Sequence, residues 1–119
     1  MPIIREEALR HFENAIYFPI LIVILENDLE TIKNGLFKLK NPYIKIVKEA
    51  LKIIRDEQKQ TSIYMRRFEM RLIKRKNDGT FTEYAFYDGG YEDHRKYLNV
   101  RLRNRTEELI SIYFDMTRN

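Results

Sequence analysis

Residues able to perform acid–base or metal chemistry are few in this sequence, and they are widely spaced. The two histidines, His11 and His94, have no histidine or glutamate at the close helical spacing of a zinc motif. Cysteine is absent, which excludes thiolate metal sites, thiol nucleophiles and disulfides. His94 follows Glu92 and Asp93, but neighbours on a helix do not face each other, so we expect a solvated or locally paired histidine. We therefore predict no catalytic residue, cofactor site or metal site.

Paired carboxylates occur in three places, and each pair has an ordinary structural explanation. The pairs are Glu6-Glu7, Glu26 with Glu30, and Glu107-Glu108. A ferritin-like metal site would need Glu-x-x-His on facing helices, and that tetrapeptide does not occur. No glycine-rich phosphate loop or serine nucleophile elbow is present either. We expect these carboxylates on solvated faces or near a helix N-terminus, where negative charge is favoured.

The residues with the clearest binding potential form a basic segment. Its members are Arg66, Arg67, Arg71, Lys74, Arg75 and Lys76, and an aromatic group follows it: Phe81, Tyr84, Phe86, Tyr87, Tyr91 and Tyr97. Basic side chains neutralise phosphates and aromatic rings stack on bases, so the basic segment is a possible anion or nucleic-acid contact. The alternative is structural. Aromatic residues would pack a half-buried hairpin, and the basic residues would protect its edge from aggregation.

Composition indicates one folded domain. The chain has 119 residues, of which 44% are hydrophobic and 34% charged, and its net charge of +4 permits only weak attraction to polyanions. The longest uncharged apolar run, residues 15–25, is about half the ~20 residues that a membrane span needs, so we expect a core helix. Lack of cysteine and of a signal-peptide pattern fits a cytoplasmic location.

Hydrophobic spacing predicts a first helix from Ile4 to Asn34. Pro19 lies inside it, and an interior proline removes one helical hydrogen bond, so we expect a kink or a break near residues 17–18. Gly35 then suits a left-handed C-terminal cap. In the short connection that follows, at 36–40, we expect the apolar side chains to tuck under the neighbouring helices.

The second helix carries the strongest pattern. Asn41-Pro42 opens it, with the asparagine as cap and the proline in the first turn. Apolar or seam positions follow at alternating spacings of three and four: Ile44, Val47, Leu51, Ile54, Gln58, Thr61, Met65 and Phe68. This spacing specifies a helix of about 25 residues with one seam facing a partner helix. The polar positions Gln58 and Thr61 fit either a protruding helix end or a polar layer at a dimer contact.

The region between the second and last helices carries turn and β-forming signals. Asn77-Asp78-Gly79 is turn chemistry, and we expect a β-hairpin over residues 70–87. The rival interpretation continues the second helix to Lys76 and starts another at Thr80, with Glu83 completing a capping box. Residues 91–98 are expected to form a short helical turn.

A final helix is predicted from a cap at Asn99 to about Met116. Its buried seam would contain Leu102, Thr106, Leu109, Tyr113 and Met116. The whole pattern predicts a mainly α fold of one domain. We expect a bundle of three main helices with a kinked or broken first helix and a short β-hairpin or irregular insertion before the last helix.

Several blocks of sequence resemble the small YhjD-like family of Bacillus-type bacteria. They are Tyr17-Phe18-Pro19-Ile20, residues 37–43, Phe81-Thr82-Glu83-Tyr84, Gly90-Tyr91-Glu92, and Leu102-Arg103-Asn104 before Glu107-Glu108-Leu109. The resemblance covers most of the chain. It implies a bacterial cytosolic origin and transfers no catalytic residue.

Our leading functional hypothesis is a non-enzymatic protein-interaction or structural module that forms a homodimer or binds another protein. The reason is the second helix, whose seam extends beyond what the shorter final helix would cover. A nucleic-acid-binding regulator that uses the basic segment is the alternative, and an enzyme of unknown reaction is a third hypothesis. No membrane span is expected.

Overall fold

Three helices and one antiparallel sheet make up the fold. The computed structural model describes residues 4–118. Its elements are α1 (Glu6–Asn34), α2 (Asn41–Arg67), β1 (Met70–Asn77), β2 (Phe81–Asp88), β3 (Tyr91–Leu98) and α3 (Asn99–Met116). The predicted three-helix bundle is therefore wrong. A three-stranded sheet of order β1-β2-β3 stands between α2 and α3 in the chain, and the fold is α+β.

The largest correction concerns residues 91–98, which form strand β3 and not a helical turn. Gly89 and Gly90 have φ angles of +58° and +89°, and these left-handed conformations close the tight turn between β2 and β3. β3 then pairs with β2 from Tyr91 opposite Asp88 to Leu98 opposite Phe81. Charged side chains lie on both faces of β3, so it lacks the apolar alternation that marks a half-buried strand.

The β-hairpin of β1 and β2 is confirmed, and the rival helix beginning at Thr80 is wrong. Asp78 organises the turn, because its Oδ1 accepts hydrogen bonds from the amides of Thr80 and Phe81 at 2.9 and 2.8 Å. These bonds, and to a lesser degree the nearby lysines, hold the pKa of the exposed Asp78 carboxyl below its usual range. One irregularity interrupts the β1 register, between Lys74 and Lys76.

Helix α1 continues through Pro19, so the predicted break near residues 17–18 does not occur, and the alternative of a kink at this point stays a prediction. A proline at this point costs one backbone hydrogen bond. Phe18 and Leu21 flank it and are buried in the core, and their packing keeps both halves of the helix in register. Tertiary contacts therefore outweigh the local penalty.

Gly35 ends α1, but not with the left-handed cap that was predicted. Its backbone is extended, with φ −83° and ψ 178°. A Cβ atom at this position would lie 2.9 Å from the carbonyl oxygen of Thr31 and 3.1 Å from the ring of Phe37. Glycine is required here by close approach of the chain to the last helical turn, and not by a positive φ.

Helix α2 confirms the predicted start and the seam from Val47 to Thr61, but the last predicted seam position, Phe68, lies beyond the helix and is exposed. The helix begins at Asn41 with Pro42 in its first turn, and the predicted cap at Asn41 is wrong because no side chain caps the helix. Val47, Leu51 and Ile54 are buried in a cluster with Phe18, Leu21 and Leu25 of α1. The two helices therefore cover each other as an antiparallel hairpin.

The polar seam position Thr61 is neither a protruding end nor a dimer layer. It is 3% exposed, and its hydroxyl contacts two side chains of α1, His11 Nδ1 at 2.9 Å and Asn14 Nδ2 at 3.1 Å. A buried hydroxyl with such partners avoids the cost of desolvation. The seam of α2 is thus satisfied within one chain.

Two core clusters lie along the molecule. The sheet core joins the first half of α1 to the sheet and the start of α3: Ile4, Ala8, Phe12, Ile16, Met70, Tyr84, Phe86 and Leu102. The helical core joins the remaining parts of the three helices: Phe18, Leu21, Leu25, Val47, Ala50, Leu51, Ile54 and Tyr113. The radius of gyration is 16.4 Å, against about 13.5 Å for a compact chain of this length. The sheet and the α1–α2 connection therefore stand at opposite ends of an elongated molecule.

The start of α3 is tied to the sheet through Asn99. The residue was predicted as a cap, but it makes no capping bond. Its Oδ1 accepts a hydrogen bond from Thr82 Oγ1 at 2.6 Å, and its Nδ2 donates to Asn77 Oδ1 at 2.9 Å. At the other end of α3, Tyr113 donates to a carboxylate oxygen of Glu57 in α2.

Candidate interaction surfaces

The outer edge of β3 is an open strand edge. Within residues 4–118, β2 pairs with one side of β3 and no strand pairs with the other. The amide of Asn99 donates to the carbonyl of Thr80 at 2.8 Å, so the odd-numbered residues of β3 exchange hydrogen bonds with β2. Glu92, His94 and Lys96 therefore direct their backbone groups outward. In agreement, the His94 amide is bonded to the Asp93 carboxylate at 3.0 Å and not to β2.

The side chains of β3 form a charge palindrome, a name we use for residues 91–97. The sequence reads Tyr-Glu-Asp-His-Arg-Lys-Tyr, with His94 at its centre. Two acids precede the histidine and two bases follow it at equal distances. Such a strand is self-complementary when it runs antiparallel to a copy of itself, because opposite charges then stand across from each other.

The helix-facing side of β3 is partly buried. The Tyr97 ring packs edge-on against Tyr84 with centroids 5.9 Å apart, and the Arg95 guanidinium lies 5.5 Å from the Phe86 ring centre. Burial of its hydroxyl raises the pKa of Tyr97 to about 12. Arg95 Nε also donates to Asp93 Oδ2 at 3.0 Å. The tyrosine and the arginine are therefore held in place by contacts within the sheet.

His94 lies on the opposite face of β3 between two carboxylates. Its Nε2 bonds to Glu92 and its Nδ1 contacts Glu83 Oε2 at 3.3 Å. Hydrogen bonds to Glu92 and Glu83 raise the pKa of this exposed imidazole. The histidine is locally paired, as expected, and it has no nucleophile or buried cleft beside it among the described residues.

His11 occupies the opposite kind of environment. It is stacked on the Tyr64 ring with centroids 3.9 Å apart and bonded to Thr61. Burial lowers its pKa, and the nearby Arg10 charge lowers it further. We find no group of three or more metal-ligating side chains within the described part of the chain.

The basic segment is dispersed by the fold. Arg66 and Arg67 lie in the last turn of α2. The Arg71 guanidinium stands 4.8 Å from the Tyr87 ring centre, while Lys74 is opposite Tyr84 and so projects from the other face of the sheet. The six cations of the segment therefore do not share one face. Their role as an anion or nucleic-acid contact remains a prediction.

Two residues of the aromatic group after the basic segment belong to the core, and the other four are exposed or half-buried. Tyr84 is 6% exposed and Phe86 is fully buried, stacked on Phe12 at a centroid distance of 4.6 Å. Buried rings are not available for stacking on bases. The geometry matches the structural alternative, in which aromatics pack a half-buried hairpin.

An exposed apolar surface lies at the other end of the molecule, and we call it the apolar tip. It comprises Leu36, Phe37, Leu39, Tyr43 and Ile46, whose exposed fractions are 103%, 46%, 76%, 51% and 39%. The expectation that residues 36–39 tuck under the helices is wrong, because the connection is too short to fold back and the α1–α2 seam is already filled. Beside the apolar tip is a groove of about 410 Å³ lined by Ile32, Tyr43, Ile46, Val47 and Phe114, among others.

Helix α1 is long and apolar enough to cross a membrane when judged by length and composition. A third of its most apolar window is buried inside the protein, including Leu21 and Leu25. A core helix of a soluble protein passes the same test. One such helix is therefore only weak evidence for a membrane span.

Comparisons with known proteins agree with the resemblance seen in the sequence. The family described as YhjD protein matches residues 3–118. The uncharacterised protein YhjD of Bacillus subtilis (strain 168) is 33% identical over 113 residues, which cover 95% of this chain and 94% of that protein. No solved structure matches. On these matches, which extend over nearly the whole chain, the protein belongs to the YhjD family.

Proposed function

We propose that this protein is a non-enzymatic interaction module that forms a homodimer through β3. The observation that supports the proposal is the charge palindrome on an open strand edge. The long seam of α2, which first suggested a dimer, no longer supports one because α1 covers it. The cytoplasm remains the proposed location.

Antiparallel pairing of two β3 strands about His94 satisfies both side chains and backbone. Glu92 stands opposite Lys96 of the partner subunit, and Asp93 opposite Arg95 of the partner subunit. The outward amides and carbonyls of residues 92 and 96 meet their counterparts directly, as a regular antiparallel ladder requires. The His94 amide joins the ladder by exchanging its bond to the Asp93 carboxylate for one across the two-fold axis. Each favourable cross-strand pair contributes about 0.2–1 kcal/mol, and two-fold symmetry produces every pair twice.

The register of this pairing is specified by charge. The smallest shift that keeps the backbone groups matched moves one strand by two residues. Such a shift would set Asp93 against Asp93 or Arg95 against Arg95, and like charges directly opposite each other destabilise a sheet. The charge palindrome therefore favours one arrangement, a continuous six-stranded sheet with the helices of both subunits on one face.

The dimer should be reversible, because one pair of strand edges buries less surface than the roughly 1,200 Å² of a standard stable interface. We expect wild-type protein to pass from monomer to dimer in the micromolar range. Sedimentation equilibrium over a concentration series measures this directly. A monomer at all concentrations would contradict the proposal.

Charge exchange provides a sharper test. A basic variant (Glu92→Lys with Asp93→Arg) and an acidic variant (Arg95→Asp with Lys96→Glu) should each be monomeric, because each sets like charges across the two-fold axis. Mixing them should restore a heterodimer. The variant with all four substitutions has a reversed palindrome and should dimerise like wild type.

The wild type, the basic variant, the acidic variant and the variant with all four substitutions differ only at exposed or half-exposed positions. Circular dichroism checks that each protein is folded. Dimerisation of the basic or the acidic variant alone, with wild-type affinity, would show that another surface makes the contact.

A further inference from the structure

Charge on and around the apolar tip is mainly positive, and the nearby acids are Asp28, which lines the groove, and Glu30. Residues 31–48 contain five lysines and no acidic residue: Lys33, Lys38, Lys40, Lys45 and Lys48. Lys33 approaches Glu30 at 3.9 Å and Lys40 donates to the carbonyl of Lys33 at 2.8 Å. Lys38, Lys45 and Lys48 make no ion pair with any residue in the range 4–118. This end of the molecule is therefore both apolar and cationic.

Leu36 and Leu39 project into solvent, while Phe37 packs against Tyr43 with ring centroids 5.5 Å apart, and Tyr43 and Ile46 line the groove. Leu36 is fully exposed and Leu39 is 76% exposed, with Lys38 between them and Lys40 after them. Clustered exposed apolar side chains mark an interaction site. A second copy of this chain does not suit the tip, because two surfaces of the same positive sign would repel each other.

We infer that the apolar tip docks on an anionic lipid bilayer. Leu36, Phe37 and Leu39 enter the boundary between headgroups and acyl chains, and the surrounding lysines contact lipid phosphates. Apolar insertion together with lysine attraction to anionic headgroups is the usual basis of reversible interfacial binding. The lysine stems extend their ammonium groups toward the phosphates while the apolar residues lie deeper.

Position in the fold agrees with this role. The molecule extends 57 × 32 × 18 Å, and the apolar tip is the connection of the α1–α2 hairpin, at the end away from the sheet. End-on docking leaves the β3 edge in solution. The inference is therefore independent of the proposed dimer, and the two can fail separately.

The absence of tryptophan provides a direct probe. Leu36→Trp places one fluorophore at an exposed position of the apolar tip, and Val100→Trp places one at the start of α3, where the residue is 57% exposed. With vesicles of phosphatidylcholine and phosphatidylglycerol, we expect a blue shift for Leu36→Trp and none for Val100→Trp. Pure phosphatidylcholine vesicles should give a much smaller shift.

Vesicle sedimentation of otherwise wild-type protein separates the two contributions. Leu36→Ser with Leu39→Ser should abolish binding. Lys38→Gln with Lys45→Gln should weaken binding to anionic vesicles by about tenfold or more, while Lys52→Gln with Lys59→Gln, on the body of α2, should not change it. The β3 variant with all four substitutions keeps the net charge of the chain and should bind as wild type does.

Binding without a blue shift, or equal binding to neutral and anionic vesicles, would overturn the inference. Failure to bind either vesicle would also overturn it, and would favour an acidic protein as the occupant of the apolar tip.

Discussion

The two edge strands of the sheet, β1 and β3, differ in their charge and in the regularity of their pairing. β1 carries cations alone at Arg71, Lys74, Arg75 and Lys76, and its register is interrupted between Lys74 and Lys76. β3 is regular and carries equal numbers of acids and bases. Like charges and bulges are the usual protection of a strand edge against pairing. This difference agrees with the proposed dimer, in which β1 is protected from pairing and β3 pairs with a copy of itself.

This asymmetry bears on the size of the assembly. Pairing of β1 with β3 of another molecule would be head-to-tail, and such contacts extend into open chains. Pairing of β3 with β3 uses the same surface on both subunits and stops at two. A blocked β1 and a self-complementary β3 together favour a closed dimer.

The largest expected effect comes from β2, the strand that holds both edges. Phe86 is fully buried and stacked on Phe12, so Phe86→Ala should cost about 3–5 kcal/mol through loss of burial and the cavity left behind. Because β2 pairs with both β1 and β3, both edge strands should unfold together. Urea unfolding measures the free energy, and Tyr87→Ala on the other face should cost clearly less. Equal costs would contradict the placement of the sheet core.

A charge reversal on β3 should weaken the dimer without unfolding the chain. Asp93→Arg replaces two attractive pairs across the two-fold axis by two repulsive ones, which should raise the dimer Kd roughly tenfold or more. The matched change on β1, Lys74→Glu, should leave the Kd unchanged. Sedimentation equilibrium measures the dimer Kd of both variants. A larger effect of Lys74→Glu than of Asp93→Arg would contradict the proposed difference between the two edges.

Neutralising β1 should create association where none is expected in the wild type. Lys74→Gln with Arg75→Gln and Lys76→Gln removes the like charges of the edge, and we expect slow growth of species larger than a dimer. Light scattering over time measures this growth. A control with the same loss of charge elsewhere, Lys52→Gln with Lys59→Gln and Arg103→Gln, should stay at the wild-type size. Equal growth of the control and the β1 variant would assign the effect to the loss of net charge.

The smallest expected effect is the titration of the two histidines, one at the β3 edge and one in the helical interior. NMR should give His94 a pKa above 6.5 and His11 a pKa below 6.5. Glu92→Gln should move the His94 value down toward 6.5, because it removes the strongest carboxylate partner. An unchanged value would contradict the pairing.

The raised pKa of His94 and the lowered pKa of His11 have opposite effects on how folding stability depends on pH. The folded state binds the His94 proton more tightly than the unfolded state does. The contribution of His94 to the stability of the folded state is therefore full below about pH 6.5, and it is lost as the pH rises through the folded-state pKa. For His11 the unfolded state holds the proton more tightly. Its contribution is present above about pH 6.5 and declines as the pH falls through the folded-state pKa.

Local patterns predicted α2 and favoured the β1–β2 hairpin over a helix that begins at Thr80. The spacing of Val47, Leu51 and Ile54 determines a helix whatever its partner is, and the turn signal at residues 77–79 favoured the hairpin. The start of α2 at Asn41 follows from Pro42, whose fixed φ suits a first helical turn. These features depend on residues within a few positions of each other.

Sites on the surface were less predictable. The aromatic rings after the basic segment looked available for stacking, but Tyr84 and Phe86 are buried by α1, far away in the chain. Leu36 and Leu39 looked like core residues and are exposed, because the helices on either side already fill each other's seams. The spacing of residues shows which side chains lie on the same face of a helix or strand, but it does not show what covers that face.

The sequence by itself determined the three helices, the family and the order of charges around His94, and it favoured the first hairpin over a helical alternative. Only the tertiary structure decided that residues 91–98 are a strand, because β2 supplies the hydrogen bonds that a strand with charges on both faces needs. It also decided that the outer edge of this strand is open, that the seam of α2 is closed by α1, and that the α1–α2 connection projects. The last two depend on which segments meet across long distances in the chain. Strand β3 follows β2 directly after a two-glycine turn, and it was missed because charges on both faces hide it from a test of apolar alternation.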